Sequence, residues 1–361
     1  MSTTAGKHRV PTFHRLTVAD VRPDTDESVV VTFIVPIELA DDYRWVAGQH
    51  VTLRRPGDDR DTRRSYSICS APGGPLRVGI KRLAGGEFSG WATTSLRAGV
   101  EIDVMTPAGG FTTECHPARQ RHVVAVAAGS GITPIRSIVE DVLEHEPLSR
   151  VTLVFVNRSA AQAMFLDELA ALKDRHLDRF VLSHVFTQEP RDADLLSGRL
   201  EGQRVMTLID RRVLPLDADD VYLCGPAPLV DQLRSALLER GLQPSTIHVE
   251  LFTPAGAPRI TRPPAASNLG GAHATITLHG RSTTVPMTPG ETVLEATLRT
   301  RPEAPYSCRS GACSTCRALL TEGTVEMAAS SGLDDGARAT GYVLTCQAVA
   351  TSDRLSLDFD A

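Results

Sequence analysis

The sequence predicts a chain of three domains: a small antiparallel β-barrel, an α/β domain with a doubly wound parallel sheet, and a mixed α+β sheet packed on a helix. Three observations predict this. Short β-branched runs separated by Gly, Pro and Asp clusters fill residues 11–115. Strands alternate with helix-period segments over residues 118–253. After a Pro-, Gly- and Ala-rich stretch at 254–271, residues 272–361 read as a hairpin, a helix and further strands around four cysteines. The length of 361 residues agrees, being too long for one ordinary domain.

Bulk composition narrows the class. With 42% hydrophobic and 22% charged residues the chain is globular, and a net charge of −5 gives no reason to expect nucleic acid as a partner. No apolar run reaches the roughly 18 residues of a membrane span, so no membrane partner is expected. The start, Met1 to Arg9, lacks an apolar signal core, which makes the cytoplasm the expected location. Seven cysteines, four of them in one pattern, do not make a disulfide framework. Cys69, Cys115 and Cys224 remain, and free cysteines are commonly small buried hydrophobes.

In the first domain, Val29–Pro36, His50–Arg54, Ser65–Cys69, Leu76–Lys81 and Val100–Val104 read as strands. In Arg64-Ser65-Tyr66-Ser67, alternation puts Arg64 and Tyr66 on one face, a cation beside an aromatic plane. That suits a pyrophosphate next to a flat ring; an edge strand with a surface arginine is the plainer alternative. The stretch Gly85-Gly86-Glu87-Phe88-Ser89 reads as a loop opening a helix, whose N-terminus is a ready anion site.

In the second domain, Arg121–Ala128 is a buried strand running into Gly129-Ser130-Gly131, with helical periodicity from Ile135 to Leu143. Further strands are read at Val151–Val156, Phe180–Phe186 and Asp220–Cys224, and helices at Ala163–Leu172 and Leu229–Leu238. Ligands of such sheets bind beyond the strand C-termini. There lie Gly129 and Gly131, then Asn157-Arg158, then Cys224-Gly225-Pro226. The pattern is G-x-G, short of the dinucleotide fingerprint G-x-G-x-x-G. No acidic residue ends the second strand. Arg158 stands there instead, which favours a 2′-phosphate and hence NADPH over NADH; a solvated strand-end arginine is the alternative.

The third domain opens with a hairpin turning at Gly280, then a helix at Thr292–Thr300 and a strand from Cys316. Between helix and strand lies Tyr306-Ser307-Cys308-Arg309-Ser310-Gly311-Ala312-Cys313-Ser314-Thr315-Cys316, and Cys346 follows after 29 intervening residues. This C-x4-C-x2-C…C order is the plant-type [2Fe–2S] spacing. Two sulfide-bridged irons need four thiolates from nearly all sides; one loop supplies three and a distant strand end the fourth. Small residues let the loop backbone approach and aim N–H groups at the sulfurs. Ordinary buried cysteines or a zinc site are the alternatives, but zinc ribbons use two C-x2-4-C pairs and only one is present.

Together these motifs resemble the ferredoxin–NADP reductase family with a plant-type ferredoxin fused at the C-terminus. The resemblance runs from Phe13-His14 through Arg64–Cys69, Phe88–Trp91, Ala127–Ile135, Asn157-Arg158, Cys224–Pro226 and Glu250–Phe252 to Val343–Gln347. It implies a flavin barrel, an NADP domain and a β-grasp ferredoxin, with FAD, NADPH (NADH being possible) and a [2Fe–2S] cluster as cofactors. It implies that Arg64 and Ser65 hold the FAD pyrophosphate side and that Tyr66 stacks on the isoalloxazine. Ser67 would bond near the reactive nitrogen, and Lys81, Gly86 and Ser89 would line the phosphate end. Gly129 and Gly131 would admit the nucleotide's pyrophosphate, Thr133 and Cys224 would flank the nicotinamide, Gly225 and Pro226 would also bind cofactor, Asn157 and Arg158 would meet the adenosine, and Phe252 the flavin face. Tyr66, Ser67 and Cys224 would be the catalytic residues, and Cys308, Cys313, Cys316 and Cys346 the metal ligands. One departure is that the second strand ends Phe155-Val156-Asn157-Arg158 where the family often has Tyr-Gly-Asn-Arg.

The implied activity is electron transfer to a terminal oxygenase. Within the family the wording leans to the branch serving a di-iron epoxidase that acts on the ring of phenylacetyl-CoA. Reductases of Rieske-type steroid or aromatic-ring hydroxylases share the architecture and remain the alternative. Residues 272–361 carry ten acidic and seven basic residues, so a basic face is expected on the partner.

Overall fold

The computed structural model describes residues 10–55, 57, 62–190, 194–252 and 271–361. Most of the expected linker at 254–271 lies outside them, as do residues 1–9 and most of the Pro56–Asp59 turn.

Six antiparallel strands form the first sheet: β1 (Phe13–Thr25), β2 (Ser28–Ile34), β3 (His50–Arg54), β4 (Arg63–Ser67), β5 (Arg77–Lys81) and β6 (Glu101–Met105). Their order is β4-β3-β6-β1-β2-β5, and a bridge between Ile68 and Val78 joins the two ends into a barrel. Leu16, Val31, Leu53, Ile80, Ile102 and Val104 fill the interior. Helix α1 (Glu87–Thr94) plugs one end with Phe88 and Ala92. The sequence reading began the strands at Val29 and passed over β1. Register shifts at Val18/Asp20 and Pro23/Thr25 throw its alternation out of phase, which hides a 13-residue strand from a period-two search.

The second sheet is wholly parallel, in the order β11-β10-β7-β8-β9, where β7 is His122–Ala128, β8 Arg150–Asn157, β9 Phe180–Phe186, β10 Asp220–Gly225 and β11 Ile247–Leu251. The chain winds outward in both directions from β7, so the crevice for a ligand opens where β7 and β10 end. Helices α2 (Ile132–His145), α3 (Leu166–Arg175), α4 (Gln203–Asp210) and α5 (Ala227–Glu239) complete the layers. The helix expected from Ala163 starts only at Leu166. Phe165 is left-handed (φ 57°) and buried, and its N–H donates to Asp24, so the apolar run Ala163–Phe165 is a turn pressed on the barrel. At that contact Gly79 has no room for a side chain. A Cβ there would lie 2.8 Å from Thr133 Cγ2, 2.9 Å from Met164 Cε and 3.0 Å from Phe165 Cζ. Around it, the Glu168 carboxylate gathers Arg22, Arg77 and Arg136 from both units.

The third unit has a sheet ordered β13-β12-β18-β14-β16: β12 is His273–Leu278, β13 Arg281–Pro286, β14 Arg317–Glu322, β16 Tyr342–Leu344 and β18 Arg354–Asp358. Only β12 and β18 run parallel, which makes the sheet mixed. Helix α6 (Val293–Leu298) packs on it. It starts in a capping box: the Thr292 hydroxyl accepts from the Glu295 N–H while Glu295 accepts from the Thr292 N–H. Strands β15 (Val325–Met327) and β17 (Ala348–Ala350) form a second ribbon, and α7 spans Asp335–Ala339. No described helix is long and apolar enough to cross a membrane.

Candidate redox site

The cysteine loop follows α6 and leads into β14, and it is shaped by left-handed residues at Arg309 (φ 54°), Gly311 (φ 77°) and Ser314 (φ 57°). Such alternation turns successive N–H groups inward, as anion-binding nests do. The Ser310 N–H points at Cys308 Sγ (3.4 Å), and the Thr315 hydroxyl lies 3.2 Å from Cys313 Sγ. A side chain on Gly311 would press on the Ala329 carbonyl at 2.8 Å. The four thiols sit as two touching pairs, Cys308 with Cys313 and Cys316 with Cys346. Among the described residues no three His, Cys, Asp or Glu groups converge on a single ion. Two pairs suit two bridged irons, one per pair, better than one tetrahedral zinc.

The loop faces the barrel. Ser65 Oγ donates to Ser307 Oγ at 2.7 Å, His50 Nε2 lies 3.2 Å from Thr315 Oγ1, and the Arg63 guanidinium lies 3.8 Å from the centre of the Tyr306 ring. These residues come from β3 and β4, and β4 also carries Arg64, Tyr66 and Ser67. Arg64 is exposed, its guanidinium donating to the Arg63 carbonyl at 2.7 Å, while the Tyr66 ring leans on Phe88, 5.6 Å between centres. The Ser89 hydroxyl is already engaged, accepting from the Leu83 N–H (3.1 Å) and donating to the Gly86 carbonyl (3.3 Å). What this turn offers a phosphate is therefore the N–H groups of the first turn of α1. A cavity of about 400 Å³ opens beside it, lined by Glu27, Arg82, Leu83, Gly85, Gly86 and Gly90.

Ser67 leads to the crevice of the parallel sheet. Its hydroxyl donates to Glu250 Oε2 at 3.4 Å, and the Cys224 thiol points at the same oxygen from 3.8 Å. Glu250 is paired with Cys224 across β10 and β11. Desolvation lifts the Glu250 carboxyl to about 8 against the pull of Ser67 and Cys224, and burial pushes the Cys224 thiol well above its ordinary value. Thr133 is buried, its hydroxyl donating to the Ser130 carbonyl at 3.0 Å. Gly131 cannot carry a side chain, because a Cβ would strike the Cys224 carbonyl. Gly225 packs likewise on Ala128, and its carbonyl accepts from the Phe252 N–H (3.3 Å); Phe252 packs against the core that includes Cys224. Pro226 caps α5.

At the end of β8, Asn157 is 5% exposed, yet neither Oδ1 nor Nδ2 has a partner among the described residues; Gln162 Oε1 shares this condition. Buried polar atoms left open beside an exposed Arg158 fit a polar ligand. Lys81 reaches in from the barrel, Nζ donating to the Gln162 carbonyl at 3.3 Å; burial and the nearby Arg158 push its pKa down against the pull of Glu27. The other large cavity, about 420 Å³, lies at the opposite ends of the strands around Arg121, Asp220, Tyr222 and His248. Arg121 there is already paired with Glu146 and Asp220, a structural arrangement away from the crevice.

Glu250 was missing from the residues expected from sequence. It stood in the run Glu250-Leu251-Phe252, but β11 went unread because His248 and Glu250 break its apolar pattern. His50, Ser307 and Thr315 gave no signal at all, since each acquires its partner only when two distant units meet.

Three such units, with an open phosphate-side turn, a nucleotide crevice and a two-iron thiolate loop, define an FAD-, pyridine-nucleotide- and [2Fe–2S]-dependent oxidoreductase. Family models agree: an oxidoreductase FAD-binding domain matches residues 27–113, an oxidoreductase NAD-binding domain residues 125–235, and a 2Fe-2S iron-sulfur cluster binding domain residues 276–351. The chain is 38% identical over 352 residues to a component of the 1,2-phenylacetyl-CoA epoxidase of Escherichia coli (strain K12), covering 97% of this chain and 98% of the relative. It is 30% identical to the ferredoxin reductase component of 3-ketosteroid-9-alpha-monooxygenase of Rhodococcus rhodochrous, over 95% of this chain and 96% of that one. The chain belongs to the ferredoxin–NADP reductase family with a fused C-terminal [2Fe–2S] ferredoxin. Phthalate dioxygenase reductase shares its fold across 96% of this chain and 98% of that one, with a TM-score of 0.58 and 22% identity. A type IV self-sufficient cytochrome P450 monooxygenase does so across 96% of this chain and 41% of its own, with a TM-score of 0.68 and 24% identity.

Proposed function

We propose that this protein is the reductase component of a two-part oxygenase, drawing electrons from NADPH and delivering them to a di-iron epoxidase that acts on the ring of phenylacetyl-CoA. The observation that carries the reading is the near full-length similarity to a component of such an epoxidase in a chain holding all three cofactor sites. When bound, the nucleotide supplies a hydride, the flavin divides the electron pair, and the cluster carries single electrons.

The chain's own residues bind, orient and shield. Arg64 and the first turn of α1 hold the pyrophosphate, and Tyr66 covers the ring. Gly129, Gly131, Thr133, Gly225 and Pro226 shape the nicotinamide slot, and Phe252 occupies its place until the nucleotide enters. Ser67, Cys224 and Glu250 form one hydrogen-bonded group at the reacting edge. Burial favours the protonated form of the Glu250 carboxyl, which presents a neutral donor there rather than a repelling charge. Asn157, Arg158 and Lys81 favour a phosphorylated adenosine. Cys308, Cys313, Cys316 and Cys346 hold the irons. We place the protein in the cytoplasm, where NADPH and CoA thioesters are available.

Reconstitution tests this. The cofactor-loaded protein is mixed with a phenylacetyl-CoA epoxygenase component, and substrate-dependent NADPH oxidation is followed together with epoxide formation. Coupled product supports the reading. NADPH-to-dye activity without product moves the partner to a Rieske-type hydroxylase, which the 30% identity to a steroid monooxygenase reductase favours second. Coupled turnover should fall with rising ionic strength if the acidic third unit meets a basic partner.

A further inference from the structure

We propose that His50 is a positioning residue for the iron–sulfur centre: from the flavin barrel it aims the Thr315 hydroxyl at Cys313 Sγ, so that seating the third unit raises the cluster's reduction potential. The inference rests on the reading that the four cysteines hold a [2Fe–2S] cluster.

The chemistry fixes the direction of the hydrogen bonds. As an iron ligand, Cys313 is a thiolate and only accepts. The Thr315 hydroxyl, 3.2 Å away, must then spend its one proton on the sulfur. Its oxygen is left to accept, and His50 Nε2 stands 3.2 Å from it. The relay is therefore Nε2–H to hydroxyl to sulfur, which selects the tautomer of His50 with its proton on Nε2. His50 is 3% exposed, and burial pushes it down to about 4, so the ring is neutral at working pH and carries a single proton.

The ring is also held to one orientation. The His50 N–H donates to the Ala108 carbonyl and the Ala108 N–H to the His50 carbonyl, both at 2.9 Å. Gly109 (φ 111°) lies against the other edge, where a Cβ would sit 2.7 Å from Nδ1. Across β3 and β4 the partner of His50 is Ser67, the residue bonded to Glu250. One rigid strand pair thus joins the nicotinamide group to a cluster ligand. Hydrogen bonds to a cluster's sulfurs favour the reduced form, which carries one more negative charge. Because His50 and Thr315 lie on different units, the bond that aims the hydroxyl exists only while the units are in contact. The cluster is a better electron acceptor when seated on the barrel than when detached from it.

The test is a redox titration of the full-length, cofactor-loaded protein, monitored by the EPR signal of the reduced cluster. Gln at position 50 places an amide donor where Nε2 stands, whereas Asn places it near Nδ1, short of Thr315. We expect H50Q and T315S to keep the wild-type potential. H50N and T315V should each become harder to reduce by roughly tenfold in electron affinity, about 59 mV for one electron. The double variant H50N/T315V should shift no further than T315V, since both break one relay. Equal potentials in H50Q and H50N, or shifts that sum in the double variant, overturn the proposal. If H50N does not fold, H50L removes the same donor and carries the same outcomes. Absence of any [2Fe–2S] signal from the wild-type protein would instead sink the cluster reading itself.

Discussion

Ser65 and Ser307 share a hydrogen bond of 2.7 Å, joining the middle of β4 to the residue before Cys308. Two positions along the same face of β4, Ser67 bonds Glu250. A strand rises roughly 3.4 Å per residue, so these two contacts lie about 7 Å apart. One face of one short strand therefore touches the ferredoxin unit at one point and the Ser67–Cys224–Glu250 group at the next.

Arg63 is two residues before Ser65 on this face, its guanidinium stacked 3.8 Å from the Tyr306 ring centre. A partly desolvated cation–π contact is worth about 1–2 kcal/mol. Arg63→Ala should therefore loosen the seating without touching the nucleotide. In rapid mixing, flavin reduction by NADPH should keep its rate while cluster bleaching slows several-fold. Equal slowing of both phases would mean that Arg63 supports the barrel rather than the junction.

Cys313→Ser separates the two halves more sharply. It removes one member of the Cys308–Cys313 pair. Flavin reduction by NADPH should survive, and reduction of one-electron protein acceptors such as cytochrome c should fall at least tenfold. Cytochrome reduction at the full rate would show that electrons leave the flavin directly.

The cofactor motifs were legible because each is local: Arg64 to Ser67, Gly129 to Thr133, Cys224 to Pro226 and the cysteine loop are all short words whose chemistry is carried by neighbouring residues. The strands of the parallel sheet were legible as unbroken apolar runs. What escaped depends on chain brought from elsewhere. The bulged β1 loses its alternation in the act of curving around the barrel. Phe165 looked helical because it is apolar, and it is apolar because it is pressed on Gly79 of another sheet. Glu250 became a site residue only through Ser67, 183 positions away.

At Gly79 the barrel lies hard against the nucleotide-sheet unit, and any side chain there must displace Thr133, which is proposed for the nicotinamide slot. Gly79→Val should destabilise the protein by about 1–3 kcal/mol through overpacking. It should also raise KM for the nucleotide. A lowered melting temperature with unchanged KM would confine the strain to Met164 and Phe165.

Arg158 stands exposed beside the open Asn157 amide, with Lys81 near enough to feel its charge. A charge-assisted bond to a 2′-phosphate contributes about 1.5–3 kcal/mol. Arg158→Ala should therefore raise KM for NADPH by roughly tenfold or more and leave KM for NADH nearly unchanged. A parallel rise for both nucleotides would assign Arg158 to the shared pyrophosphate instead.

The pH dependence of the nicotinamide group turns on Glu250, whose carboxyl burial lifts from 4.5 to about 8. A raised acid binds its proton in the folded state over a range where the unfolded chain has already lost it. The folded state then holds more protons than the unfolded one between those two values, and stability falls as pH rises through that window. Glu250→Gln keeps a neutral amide next to Ser67 and Cys224 and removes the titration. The melting temperature of the variant should thus gain on the wild type as pH rises from about 5 towards 8 and hold its lead above that. The same loss of a charge should appear in catalysis. Wild-type flavin reduction should slow above pH 8 as a carboxylate forms beside the bound nicotinamide, and the variant's rate should stay level there. If the two melting curves run parallel across this range, Glu250 is ionised in the folded protein, and the neutral donor assigned to it is wrong.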